Sequence, residues 1–235
     1  MGFTIAGMRD LRDLRLSPRS PRRPGRVGRT PVTTAVAEYT GLWGWDVAPG
    51  ARAVRGSGPL GRPACSCGDR ACPAPGAHPL PRGRVVPAGA TLDEVLRSWA
   101  RTPDAAVLLP TGDRFDVLEV PEAAARCALP RLERMSIPLG PVALAPHRVA
   151  WFLVAPGAAA GLPHLLYRMG WDAALPGLRA LGTGHHITAP PSGHAGLGPV
   201  RWLRAPGLET AAPPPARLLL GTLAYACHRT RRPAA

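Results

Sequence analysis

Three of the five cysteines fall within eight residues, and a histidine follows, in the spacing C-x-C-x4-C-x5-H: Cys65, Cys67, Cys72 and His78. Three thiolates and one imidazole form the ligand set of a closed, tetrahedral structural zinc site. Gly68, Pro73, Pro75 and Gly76 lie between or beside them and let the backbone double back so that four ligands can converge. A chain that must gather these groups is committed to a tight excursion over residues 63–80, anchored on whatever regular structure flanks it. The competing reading is a loop with scattered cysteines; ligand type and clustering favour zinc.

The remaining composition sets the class. At 235 residues with 46% hydrophobic side chains, the chain is long enough for one domain with a buried core plus a tail. Thirty prolines and 27 glycines imply many loops and short helices. The net charge of +14 points to a polyanionic partner, either nucleic acid or nucleotide, or to a membrane surface. Every one of the 29 basic residues is Arg, whose planar fork suits phosphate, although abundant Ala, Gly and Pro make a GC-rich genome the better explanation of that choice. Clustered cysteines do not resemble a disulfide framework. Cys127 and Cys227 stand in apolar surroundings and are expected to be small core residues. No apolar run reaches membrane-spanning length, and the N-terminus lacks a secretory apolar segment, so a cytoplasmic, reduced protein is expected.

Residues 1–30 are Arg-rich and punctuated by Pro18, Pro21 and Pro24. They read as a disordered basic tail, able to touch phosphates or simply solvated. Helical spacing of Val32, Ala35, Val36, Tyr39 and Leu42 predicts a helix over 32–43, followed by a short strand at 45–49. Thr91 and Glu94 form a capping box for a helix over 91–101, with Leu92, Val95, Leu96 and Trp99 on its inner stripe. Strands are expected at 105–109, 115–120, 148–154 and 185–189, and a helix around Leu162, Leu165, Leu166 and Met169. A last helix is expected from Pro214 to about His228, with Leu218, Leu219, Leu223 and Cys227 inward. Short, mixed strands alternating with helices indicate an α+β fold, a mixed sheet with flanking helices and a zinc-binding insert.

Several features carry a resemblance when taken in order. They are the Cys-x-Cys…Cys…Gly-x-His-Pro insert, Thr111-Gly112 before a strand, and Ala189-Pro190-Pro191-Ser192-Gly193-His194 followed by Arg201-Trp202. The helix at 91–99 with Pro103-Asp104-Ala105 fits the same order. The chain resembles the bifunctional DNA primase/polymerase (prim-pol) N-terminal domain of the archaeo-eukaryotic primase superfamily, of the kind found in actinobacteria and phages, from about Ala35 to Trp202 or beyond. The prim-pol-like domain would then occupy 31–230.

The resemblance implies nucleotidyl transfer, attack of a 3′-hydroxyl on the α-phosphate of a nucleoside triphosphate, with Mg2+ or Mn2+ held by carboxylates. It implies nucleoside triphosphate and single-stranded DNA or primer-template as partners, and a helicase or other replication partner on another chain. It places Glu119 and His147 at catalytic positions and Thr111, Ser192 and His194 on the nucleotide side. The family alternates two acids on one strand, so that both reach one metal cluster. In this chain Glu119 stands at the first position but Pro121 at the second. Asp116, three residues before Glu119, would face the other way on a regular strand. Leu178-Arg179-Ala180 occupies the region of the third acid. Leu144-Ala145-Pro146 replace the small residues expected before His147. His185 and His186 are adjacent on a strand and point to opposite faces, so they form no metal pair; Trp202 reads as core. Three readings follow: a fold that retains nucleotide or nucleic-acid binding with transfer weakened or lost, an active primase/polymerase, or a zinc-stabilised interaction module. The first is favoured, with the zinc insert bracing the N-terminal part away from the catalytic region.

Overall fold

The computed structural model describes residues 30–54, 63–172, 174–208 and 212–231. Apart from Thr30, the basic tail expected over 1–30 lies outside them. In chain order the elements are α1 (Pro31–Gly41), β1 (Ala48–Gly50), β2 (Ala53–Val54), β3 (Ala64–Cys65), α2 (Leu92–Trp99), β4 (Ala106–Pro110), β5 (Asp116–Pro121), α3 (Glu122–Arg134), β6 (Val142–Ala145), β7 (Val149–Val154), α4 (Ala158–Arg168), β8 (Arg179–Leu181), β9 (His186–Thr188), β10 (Gly193–His194), β11 (Gly198–Pro199), β12 (Arg201–Arg204) and α5 (Arg217–Arg231). The α+β class holds.

The largest sheet is antiparallel, in the order β12-β6-β7-β5-β8. A smaller antiparallel sheet runs β1-β4-β9, and two-stranded ribbons pair β2 with β3 and β10 with β11. Strand β5 lies inside the larger sheet and must bury both faces. Leu118 and Val120 enter one core, beneath α3, α4 and α5, while Val117 enters a second core shared with α1, α2 and β4. Each such Leu or Val stabilises by about 1.5–3 kcal/mol on burial, so the alternation along β5 fixes its register and which acids reach which side.

Local signals explain most boundaries. Thr30 caps α1, accepting from the Thr33 amide, and Pro31 sits in the first turn, where its missing N–H costs nothing. Thr91 and Glu94 cap α2 reciprocally, as their spacing predicts. Within α2, Val95 and Trp99 are buried whereas Leu92 and Leu96 are only partly so. Gly112 has φ +114°, and a Cβ there would lie 2.5 Å from the Thr183 hydroxyl, so only glycine permits these two turns to meet.

Three expectations are corrected. Cys127 is exposed on α3, whereas Cys227 is buried; the small inward residues of α3 are Ala124, Ala125 and Ala128 instead, which let α3 pack close to α5. Leu218 is 37% exposed, and Leu220 takes its place in the core. The last helix begins at Arg217 and runs to Arg231, because three consecutive prolines at 213–215 hold the preceding segment extended.

Asp116, at the start of β5, is 2% exposed on the α4 side. Its Oδ2 accepts from the Ala159 amide at 2.8 Å, capping a helix whose own N-cap, Gly157, has no side chain to offer. This acid is committed to architecture. Asp116→Ala is expected to lower stability by about 1–2 kcal/mol, read as a shift of the urea midpoint without a change in slope; an unchanged midpoint would show that the cap carries no weight.

Candidate functional site

The face of the large sheet opposite α3 and α5 carries one cross-strand row: Trp202 on β12, Ala143 on β6, Trp151 on β7, Glu119 on β5 and Arg179 on β8. Residues directly opposite one another in antiparallel strands share a face, so Glu119 lies between Trp151 and Arg179. The Trp151 indole N–H donates to Glu119 Oε2 at 2.9 Å. Arg179 Nε donates to Glu119 Oε1 and forms an ion pair with it. Glu119 is well covered, at 13% side-chain exposure, and the pairing holds the Arg179 guanidinium proton more tightly than usual.

Pro121 ends β5 opposite Val149 and occupies the N-cap position of α3 without a capping side chain. Glu122 therefore begins a helix instead of continuing the strand. Its carboxylate meets Arg126 at 2.7 Å, Arg148 at 3.4 Å and Arg201 at 4.0 Å. The hydrogen bond from Arg126, assisted by the charges of Arg148 and Arg201, lowers its pKa. Both acids on this side are thus occupied by guanidinium groups. The recess beside Glu119, lined by Pro121, Val149, Leu178 and Arg179, encloses only about 170 Å³.

His147 lies in the tight turn joining β6 to β7 and is exposed. Its ring stacks on that of His194 at 4.9 Å, and Trp151 meets His194 edge-on at 5.6 Å. His194 Nδ1 is 2.8 Å from the Thr188 hydroxyl. Burial depresses the His194 pKa to about 4, and repulsion from the His147 and His186 rings adds to the effect. Two histidines far apart in sequence thus join Glu119 through Trp151. Residues 147 and 194 were each singled out by motif, but their stacking depends on the β6–β7 and β10–β11 turns meeting, which no local pattern encodes.

The Thr111 hydroxyl is buried and donates to the Gly182 carbonyl at 2.6 Å. The Ser192 hydroxyl is also buried and accepts from the Val107 amide at 2.7 Å. Both tie turns to the smaller sheet. Tyr39 is buried and donates to the Pro190 carbonyl at 2.7 Å, fixing the Pro-Pro-Ser turn from α1. Trp202 is half-buried, against Tyr39 and Trp45.

Cys65, Cys67, Cys72 and His78 converge, with all four donor atoms within 4.8 Å of one another. His78 Nε2 lies 3.2 Å from Cys65 Sγ and 3.4 Å from Cys72 Sγ. The other ring nitrogen, Nδ1, donates to the Pro79 carbonyl at 2.8 Å, which leaves the Nε2 lone pair directed at the sulfurs. At Cys65 burial works against ionisation, but the amides of Cys67 and Gly76 outweigh it and lower the thiol pKa to about 6. Three soft sulfur donors and an oriented imidazole, gathered within 4.8 Å of one another, suit a metal such as zinc.

The insert also reaches further than the N-terminal part. The Ala77 carbonyl lies 3.1 Å from His186 Nε2 on β9, and the Gly76 carbonyl accepts from the Ala195 amide, next to His194. Of the adjacent pair, His186 is the bonded member and His185 the exposed one. The knuckle thus abuts the strand and hairpin that carry Thr188 and His194, instead of standing apart from them.

The large antiparallel sheet thus bears a Trp–carboxylate–Arg row with two stacked histidines beside it, and it is flanked by a Cys3His knuckle that could hold a metal such as zinc. Residues 36–217 match the family described as bifunctional DNA primase/polymerase, N-terminal, and the chain belongs to that family. No curated protein and no solved structure matches the chain.

Metal analysis of the purified protein is expected to find near one zinc per chain, lost in Cys67→Ser. A folded, metal-free wild type would refute the site. A histidine with a native pKa of about 4 and an unfolded pKa near 6.5 takes up its proton first in the unfolded chain. Acidification from about pH 6.5 to about pH 4 therefore favours unfolding, and the penalty stops growing below about pH 4. His194→Gln should flatten that part of the stability–pH curve; an unaltered slope would exclude His194 as its source.

Proposed function

We propose that this protein retains the nucleotide- or nucleic-acid-binding scaffold of the primase/polymerase family while nucleotidyl transfer is weak or lost. The observation carrying this reading is the Glu119–Arg179 ion pair, with Pro121 two residues further along β5. Transfer needs divalent metal held by carboxylates facing one another. Here the carboxylate is paired with a guanidinium fixed across the sheet, which repels a dication and competes for the same oxygens. Pro121 supplies no ligand, and Asp116 is buried on the opposite face. The residues present do not fit a Mg2+ or Mn2+ cage. Losing one charge-stabilising group commonly costs about a hundred- to thousand-fold in rate.

Binding is the property kept by the cleft, meaning the recess beside Glu119 together with the adjoining Trp151–His194–His147 ring cluster. His147 is exposed and stacks on His194, and neutral His194 presents an imidazole without a charge to neutralise. Arg148, Arg179 and Arg201 surround the two acids and outnumber them, which favours a phosphate-bearing ligand. In this reading Thr111 and Ser192 act by holding the turns around the cleft, since their hydroxyls are committed to Gly182 and Val107. Glu119 holds Arg179 in place for phosphate. The Cys3His site carries structural zinc in a reducing cytoplasm, and residues 31–230 form the functional unit. Single-stranded DNA or primer-template is the expected partner, with a helicase or replication protein on another chain.

Primer-synthesis and primer-extension assays with Mg2+ or Mn2+ are expected to give little product. Clear synthesis abolished by Glu119→Ala would overturn the reading. Affinity for single-stranded DNA is expected to fall with salt, by about 0.7 in log–log slope for each phosphate neutralised; salt-insensitive or absent binding would favour a protein-interaction role instead.

A further inference from the structure

On the far side of the large sheet, the outer surfaces of α3 and α5 enclose a groove of about 360 Å³ lined by Cys127, Arg131, Arg134, Thr222, Tyr225 and Arg229. We infer that this groove is a second phosphate-binding site, separate from the Glu119 cleft, and that it takes the backbone of a polynucleotide. Arg131 comes from α3 and Arg229 from α5, and both guanidinium groups lie against the ring of Tyr225, with Cζ 5.4 Å and 5.8 Å from its centroid. Attraction to the ring face holds the two like charges close together. Among the described residues, none of the three lining arginines has a carboxylate within ion-pair distance. Glu133 on α3 is paired with Arg204, and Glu122 with Arg126, Arg148 and Arg201.

Arg131, Arg134 and Arg229 line one groove with no carboxylate paired to them among the described residues, so a bound phosphate relieves the repulsion of like charges while accepting from their forks. The volume lies within the range of ligand pockets, and Thr222 adds a hydroxyl. Strand β5 and its neighbours separate this groove from the Trp151–His194 cluster, because the α3–α5 core lies on one face of the sheet and Glu119 on the other. One ligand occupying both sites must therefore pass around an edge of the domain. A polynucleotide can do so, whereas a single nucleotide cannot.

Cys127 provides the readout, since it is exposed within the groove. Its alkylation by iodoacetamide in the purified full-length protein, followed by peptide mass spectrometry, is expected to slow several-fold on adding oligothymidylate. The double variant Arg131→Ala/Arg229→Ala should lose that protection, and its affinity for oligothymidylate should fall roughly tenfold at low salt. Inorganic triphosphate is the second arm. Protection by triphosphate alone keeps the phosphate site but overturns the polynucleotide as its occupant. No protection by either ligand, or protection that persists in the double variant, overturns the site. Cleft variants such as His147→Ala should leave Cys127 protection by triphosphate intact, so failure of the cleft reading and failure of the groove are read separately.

Discussion

The interior position of β5 constrains everything around it. A strand covered on both faces can place a charged side chain on either face only if a partner waits there. Asp116 finds its partner in the first turn of α4 and Glu119 in Arg179 and Trp151. One strand therefore carries two acids that can never meet, because the pleat sends them into different halves of the molecule. The chemistry of the cleft follows from that separation more than from any single substitution.

The cleft and the helical face are both basic, yet they are organised differently. In the cleft, four arginines gather on two carboxylates, so part of the charge is neutralised internally and the ion pairs set the geometry. On the α3–α5 side, arginines rest on an aromatic ring and leave their hydrogen-bonding edges free. The first arrangement favours a defined orientation, the second a ligand that brings its own charge.

Much of this was legible before any coordinates. The Thr91–Glu94 box, the strand through Glu119, the Cys3His cluster and the opposed facing of Asp116 all rest on local periodicity or spacing, and all appear in the fold. Helix α3 carries little signal in the sequence, because Pro130 lies inside it and its inward residues are mostly alanine, which give little amphipathic contrast. The same Ala-rich setting made Cys127 look buried. Strands β6, β8 and β12 are three or four residues long, too short for alternation to register. The Glu119–Arg179 contact and the His147–His194 stack depend on strand register and on the meeting of distant turns, and such pairings carry no signature in a single sequence.

The carbonyls of Gly76 and Ala77 tie the knuckle to His186 and to the amide beside His194. An ion held by Cys65, Cys67, Cys72 and His78 would therefore brace that hairpin as well, and any such linkage runs both ways. A ligand settling against His194 would then tighten the grip on such an ion by the same factor as the ion tightens the ligand, so that a chelator would act on the cleft without ever entering it.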